Sequence, residues 1–401
     1  MEELILGELT ERKIGYGIVQ PGEPTIGGVP VIKVNNIISG LKSIQDLDTT
    51  HPENDQKYRK TRLNGGEIII SVVGTIGKTA IVPMDFKGCN LVRATALIDI
   101  KDPILSRWVK YYIDSPKGQS YINGNLNTTV QPTLNIKSLV EMPIPFYGRE
   151  YAEKVVAILS RIDDKIENNR QINDNLEQQA QTLYKSWFVD FEPFKNGDFV
   201  ESELGLIPIG WKVTELSAVT KQITRKVKDR TDVKVLSPVN SGELVLSEEY
   251  FTKQVFSESI SKYIVVKPLH FAYNPARVNI GSIGMNTFAF DGCVSPVYVV
   301  FECEKEYHHF FDYYRKTDSF KDEVLTRAIG GVRQTLSYKD FSLIKLAYPP
   351  LEVVKEFNAI YERLLDNINR TKSENSKLSD LRDTLLPKLM SGELKINEID
   401  C

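Results

Sequence analysis

Two stretches of this 401-residue chain crowd cations together in a way suited to holding phosphates. Lys57, Tyr58, Arg59, Lys60, Thr61 and Arg62 interleave one aromatic ring with four cations. Between Lys221 and Lys234 lie six Lys or Arg, among them Arg225, Lys226, Lys228 and Arg230, against only two Asp. Ammonium and guanidinium groups neutralise phosphate oxygens, and planar Arg, Asn and Gln side chains can read base edges through paired hydrogen bonds. A solvated charged face is the plain alternative for either cluster. One cluster in each half of the chain favours nucleic acid. Two polar loops are further candidates: 125–131, with Asn127, Thr128, Thr129 and Gln131, and 326–334, with Arg327, Arg333 and Gln334. Either could contact bases or simply be a turn.

Catalytic constellations are thin by comparison. Gly74-Thr-Ile-Gly77 is a short GxxG that lacks the GxGxxG or GKS/T context of a phosphate loop, so a structural turn accounts for it better. Asn274-Pro-Ala-Arg277 lacks the second proline and the stacking aromatic that a base-flipping methyltransferase motif would need. His308 and His309 fall on an expected helix with no carboxylate or thiol at ligand spacing, and read as a solvated pair. Four scattered cysteines, Cys89, Cys293, Cys303 and Cys401, form no CxxC pair and no disulfide framework. No metal site and no catalytic residue is expected.

The elements that must position these clusters occur twice. Thr133, Leu134 and Lys137 match Thr335, Leu336 and Lys339 at a constant separation of 202 residues. The same separation carries Ile162, Asp164, Ile166, Leu176 and Leu183 onto Leu364, Asp366, Ile368, Leu378 and Leu385. Gly74-Thr-Ile-Gly77 is answered by Gly281-Ser-Ile-Gly284, and Gly88-Cys89 by Gly292-Cys293. Each half therefore runs through a mixed α+β region, a Pro-containing bridge and a long helix. A helix is expected from about Tyr151 to Phe188, with Val155, Ile162, Leu176 and Leu183 on one heptad register and Leu159, Ile166, Ala180 and Trp187 on the other. A second is expected from about Leu351 to Leu386, with Phe357, Leu364, Leu378 and Leu385 beside Tyr361 and Ile368. Asn169, Asn173, Thr371 and Asn375 interrupt the seams at matching heights, where polar residues fix register at some cost in stability. Pairing of the two helices as an antiparallel coiled coil is preferred over separate packing. Strands are expected at 67–73, 95–100, 263–267 and 296–301, and helices near 106–113 and 305–317.

Composition bounds the rest. With 41% hydrophobic and 26% charged residues the chain can build true cores, so wholesale disorder is excluded. No stretch approaches the ~18 apolar residues of a membrane helix, and the acidic opening MEELILGELTER is unlike a signal peptide, so a cytoplasmic setting is expected. A net charge of −3 carries no global nucleic-acid signal; the cations are concentrated locally while the helix after Glu150 is acidic.

Three motifs carry a family resemblance. Leu183-Tyr-Lys-Ser-Trp-Phe-Val-Asp-Phe-Glu-Pro-Phe194 resembles the central region of type I restriction-modification specificity subunits. Leu381-Arg-Asp-Thr-Leu-Leu-Pro-Lys-Leu-Met-Ser-Gly-Glu-Leu394 resembles the distal one, and Leu206-Ile-Pro-Ile-Gly-Trp-Lys-Val-Thr-Glu-Leu216 the opening of a target-recognition domain. Residues 1–9 lack the Pro-x-Gly-Trp of that opening. The resemblance implies an α+β fold with two target-recognition domains in tandem repeat, separated by two long helices in an antiparallel coiled coil. On this sequence that gives domain 1 at 1–145, a central helix at 146–191, a linker at 192–205, domain 2 at 206–347, and the distal helix with its tail at 348–401. It further implies a non-catalytic subunit that recognises a bipartite site on double-stranded DNA. Its implied partners are two methyltransferase subunits, for adenine-N6 methylation, and restriction-motor subunits; S-adenosylmethionine, ATP and Mg would sit on those partners. Trp187, Phe188, Leu389 and Met390 could dock methyltransferase helices or close the ends of the coiled coil. A stand-alone DNA-binding or anti-restriction module, and a coiled-coil scaffold, are the competing readings.

Overall fold

The computed structural model describes residues 2–41, 43–127, 132–251, 255–328 and 335–394. The chain divides into two units, Met1–Arg170 with Lys372–Cys401, and Gln171–Thr371.

In the first unit, strands Arg12–Tyr16, Thr95–Asp99, Ile68–Ser71 and Thr79–Ile81 form an antiparallel sheet in that order. A smaller sheet orders Asp48–Thr50, Val29–Ile32 and Asn90–Leu91, the last two parallel. Glu2–Ile5 pairs with Pro143–Phe146. Strand Ile68–Ser71 is buried on both faces, which explains its unbroken β-branched run. Its core continues through Ile98, Trp108, Tyr111, Val155, Leu159, Leu386 and Leu389. The Trp108 indole N–H donates to the Pro145 carbonyl at 2.9 Å, so its one polar atom is satisfied.

The second unit repeats the plan. Thr220–Ile223, Val299–Cys303, Phe271–Tyr273 and Ile283–Met285 form an antiparallel sheet with the same order. Leu244–Leu246, Lys234–Pro238 and Gly292–Val294 form the second sheet, again with one parallel pair, and Ile264–Val266 adds a fourth strand. Lys212–Glu215 pairs with Lys345–Tyr348. Strand order and direction therefore carry the duplication that the sequence spacing announced. This core is more aromatic, joining Tyr184, Phe188, Trp211, Phe271, Phe301, Phe310 and Phe357.

The long helices span Arg149–Phe188 and Leu351–Met390, 40 residues each. The first has no Gly or Pro to interrupt it. The second runs one turn beyond the expected stop despite Pro387, because Leu389 and Met390 are anchored in the core. In the first unit, Tyr151 reaches the Leu389 carbonyl, Asp163 meets Arg382, and Asn169 meets Asn375, so the paired segments run in opposite directions. In the second, Asn173 meets Thr371, and Phe188 packs on Phe357.

Two expectations are corrected, on the strand at 296–301 and on His309, and two others gain detail. The segment read as a linker at 192–205 contains half of a hairpin, Phe199–Ser202 with Gly205–Pro208, turned at Gly205 with φ 90°. The strand expected at 296–301 lies at Val299–Cys303, since residues before it form a turn closed by Tyr298 N–H to the Ser295 carbonyl. Of the two roles considered for them, closing the helix ends fits where these residues lie: Phe188, Leu389 and Met390 are buried in their own unit's core, and Trp187 stands half-buried against Phe194 and Phe357. His309 is buried and His308 half-buried, so they are not a solvated pair.

Candidate nucleic-acid interface

The first cation cluster is built on a clamp. Pro52 starts the short helix Pro52–Lys57, where its missing N–H costs nothing, and a single turn Arg59–Thr61 follows. Asp55, on that helix, is buried and accepts from the Arg62 guanidinium and from the Asn90 amide at 2.8 Å. Asn90 in turn accepts from the Thr61 hydroxyl at 2.8 Å, and the Arg12 guanidinium donates to the Arg62 carbonyl at 2.7 Å. Arg12 itself is held by Glu67 and Asp99. Lys57, Arg59 and Lys60 project from this fixed backbone into solvent, with no acidic partner among the described residues. Tyr58 is half-buried, and its carbonyl accepts from Asn90 and Thr61.

The second cluster is laced to a neighbouring segment. Val265 N–H donates to the Arg225 carbonyl at 2.8 Å, Val227 N–H to Tyr263 at 2.9 Å, and Lys228 N–H to Ser261 at 2.9 Å. Val227 is buried between exposed Lys226 and Lys228, as strand-like alternation places them, and Arg225 is exposed as well. Lys228 adopts φ 57°, a left-handed conformation that costs a non-glycine residue about 1 kcal/mol or more. Lys234 lies 5.2 Å over the Phe290 ring.

Not every predicted cation is available. Arg62 serves the buried Asp55, Arg230 bridges Asp232 at 2.6 Å and Asp291 at 2.8 Å, and Arg327 pairs with Glu323 at 2.8 Å. In this structure the charge of these three is engaged inside the chain. Sequence reading missed Asp55 and Asn90, whose partners lie up to 35 residues away. The two clusters also differ in place. The first follows the helix after strand Asp48–Thr50, whereas the second follows the opening strand of the four-stranded sheet. Asn127 is exposed in a two-residue strand opposite Thr133. Thr128, Thr129, Gln131, Arg333 and Gln334 lie outside the described residues.

Among the described residues no group of three or more His, Cys, Asp or Glu could hold a metal ion, and no helix is long and apolar enough to cross a membrane. Gly74 and Gly77, with φ 79° and 81°, form the turn expected of them. Asn274 caps its own turn by accepting from Ala276 N–H at 3.0 Å. The arrangement is a surface that holds charge outward on fixed backbone.

Residues 9–178 match the family described as the type I restriction modification DNA specificity domain. The first half of the chain therefore carries a type I restriction modification DNA specificity domain. The matched span covers the first cluster and most of the first long helix. Among curated relatives, the type I restriction enzyme MjaIX specificity subunit of Methanocaldococcus jannaschii is 26% identical over 310 residues, covering 75% of this chain and 71% of the relative. The EcoBI specificity subunit of Escherichia coli is 28% identical over 180 residues, 43% of this chain and 37% of the relative. A crystal structure of a type I system S subunit from M. genitalium shares the fold, with TM-score 0.53 at 15% identity over 97% of this chain and 95% of that one. The second half of the chain lies beyond the matched span, and strand order links it to the first.

Proposed function

We propose that this chain is a specificity subunit that reads a bipartite site on double-stranded DNA, one half-site per unit, and directs adenine-N6 methylation and restriction by partner subunits. The observation that carries the reading is the repeated sheet topology, each copy displaying cations on a clamped backbone. A duplicated reader suits a site with two recognised halves and unspecified base pairs between them. Lys57, Arg59 and Lys60 in the first unit and Arg225, Lys226 and Lys228 in the second supply sequence-independent phosphate contacts. The described base-reading candidate is Asn127, with Thr128, Thr129, Gln131, Arg333 and Gln334 from the loops that complete the set.

In this reading units 1 and 2 are the two target-recognition domains, and the long helices pair throughout as an antiparallel coiled coil. Forty residues at ~1.5 Å rise give a helix of about 60 Å, comparable with nearly two turns of B-DNA at ~34 Å each. Helix length then sets the half-site spacing. Two methyltransferase subunits would bring S-adenosylmethionine, and motor-nuclease subunits ATP and Mg; this subunit binds none of them and contributes no catalytic residue.

The test is DNA binding by the complex purified from its host over a salt series. The reading expects a preferred duplex, a methyltransferase copurifying with the chain, and affinity falling steeply with salt as phosphate counterions are released. Salt-insensitive binding, or a chain that purifies with no methyltransferase, contradicts it.

A further inference from the structure

The stretch that leaves the opening strand of the four-stranded sheet carries opposite chemistry in the two units. In the second unit it is 224–233, with exposed Arg225, Lys226 and Lys228. In the first unit the corresponding stretch, 17–28, holds no Lys or Arg at all. Its tip instead presents Ile26 at 105% of full exposure, as open as in an unfolded peptide.

The loop behind that isoleucine is fastened down. Thr25 N–H donates to the Thr49 hydroxyl at 2.9 Å, and that hydroxyl donates back to the Thr25 carbonyl at 2.7 Å. Gly28 N–H closes a tight turn onto the Thr25 carbonyl at 2.9 Å, with Gly27 at φ 71° where only glycine sits without strain. A Cβ on Gly28 would lie 2.5 Å from the Thr50 carbonyl oxygen, so the turn cannot relax outward. At the loop's other end, the Pro21 carbonyl accepts from the Thr50 hydroxyl at 2.6 Å and the Asn54 amide at 3.4 Å. Asn54 and Lys57 stand three residues apart on one helix and share its face, so the loop is rooted beside the first cation cluster.

An aliphatic side chain held in water at the tip of a loop whose base meets the helix of Lys57 has one useful partner on DNA: the apolar parts of the bases. We propose that Ile26 is an apolar base contact in the half-site read by the first unit, touching thymine methyl groups or a base-pair step, while the second unit uses its loop for phosphates. This rests on the DNA-reading role proposed above. Apolar side chains contact the thymine methyl in the major groove and wedge base steps in the minor groove, and burial against either is favourable.

The experiment compares the native complex with the I26A and K226A/K228A variants on a duplex carrying the host's methylated motif and on a random duplex of equal length. I26A should cut the cognate-to-random affinity ratio about tenfold, the size of one lost base contact, and leave the salt slope unchanged. K226A/K228A should lower the slope by about two and keep the ratio. Uracil in place of thymine in the half-site reproduces the loss if the contact is to methyl groups; a 2-aminopurine signal that rises with wild type and not with I26A marks a wedge. Because Ile26 touches no core, its removal leaves the melting temperature unchanged, which a thermal melt verifies. An I26A ratio equal to wild type overturns the inference alone. A wild-type ratio of one overturns the DNA-reading role and the inference with it, and loss of a copurifying subunit in I26A would assign the residue to a protein contact and overturn it too.

Discussion

Asn169 donates its side-chain amide to the side-chain oxygen of Asn375 at 2.9 Å, and Asn375 returns its own amide to the Ile166 carbonyl at 3.2 Å. The same Asn169 amide reaches Glu374 at 2.9 Å. In the second unit the Thr371 hydroxyl donates to Asn173. The 202-residue separation of the repeat exchanges these pairs, carrying Asn169 onto Thr371 and Asn173 onto Asn375. One polar layer, seen twice, marks the register of both helices.

Thr371→Val keeps the shape of the side chain and removes the donor, leaving a buried Asn173 oxygen without that partner. The expected cost is about 1–3 kcal/mol in urea unfolding. Adding Asn173→Leu should recover most of the loss, because an apolar pair suits the seam, though it removes the feature that opposes a shifted register. Failure of the second substitution to recover stability would show that the layer does more than satisfy itself.

Seven residues inserted after Asn173 together with seven before Thr371 lengthen both helices in register. At ~1.5 Å per residue this adds about 10 Å, roughly three base pairs at ~3.4 Å each, and the methylated motif should gain that spacing. Insertion in one helix alone shifts the segments beyond the polar layer, such as Phe188 against Phe357, out of register and should abolish methylation. Sequencing the modified motif distinguishes the outcomes.

Arg62 and Lys60 are two residues apart and should behave oppositely. Arg62→Ala leaves the buried Asp55 short of its ionic partner, and the melting temperature should fall, with a cost on the order of 1–3 kcal/mol for an unsatisfied buried acceptor. Lys60→Ala should leave stability within about 0.5 kcal/mol and lower the salt slope of DNA binding by about one. Thermal melts paired with binding titrations separate the roles.

His309 gives a pH signature. Burial, reinforced by neighbouring His308, lowers its pKa to about 3, and its ring packs 4.6 Å from that of Tyr361. Its unfolded value near 6.5 means that the unfolded chain binds the extra proton first as pH falls. Stability from this residue is therefore complete above about pH 6.5 and is lost as pH drops toward 3, by about 2 kcal/mol between pH 7 and pH 5. His309→Phe should flatten that part of the stability–pH curve; an unchanged slope would place the titration elsewhere.

The helices were legible because a heptad is a local, repeated signal that packing rewards along its whole length. Arg149–Phe188 differs from expectation by two residues at one end. The duplication was legible for the same reason, through many weak matches at one separation. The fate of individual charges was not: Arg62 is paired with an Asp55 that also takes the Asn90 amide from 35 residues away, and Arg230 is tied to Asp291, 61 residues away, as well as to nearby Asp232. Nor was the hairpin at 199–208, since Gly and Pro mark a break in helix without saying whether the chain then pairs with itself. His309 looked exposed beside His308 because adjacent helix positions share no face, and one of the two had to turn inward.

The most direct measurement is methylation mapping of the host genome with and without this gene. A motif of two fixed halves around a constant gap, carrying N6-methyladenine and vanishing on deletion, is what the account predicts. A methylome that keeps every motif after deletion would contradict it.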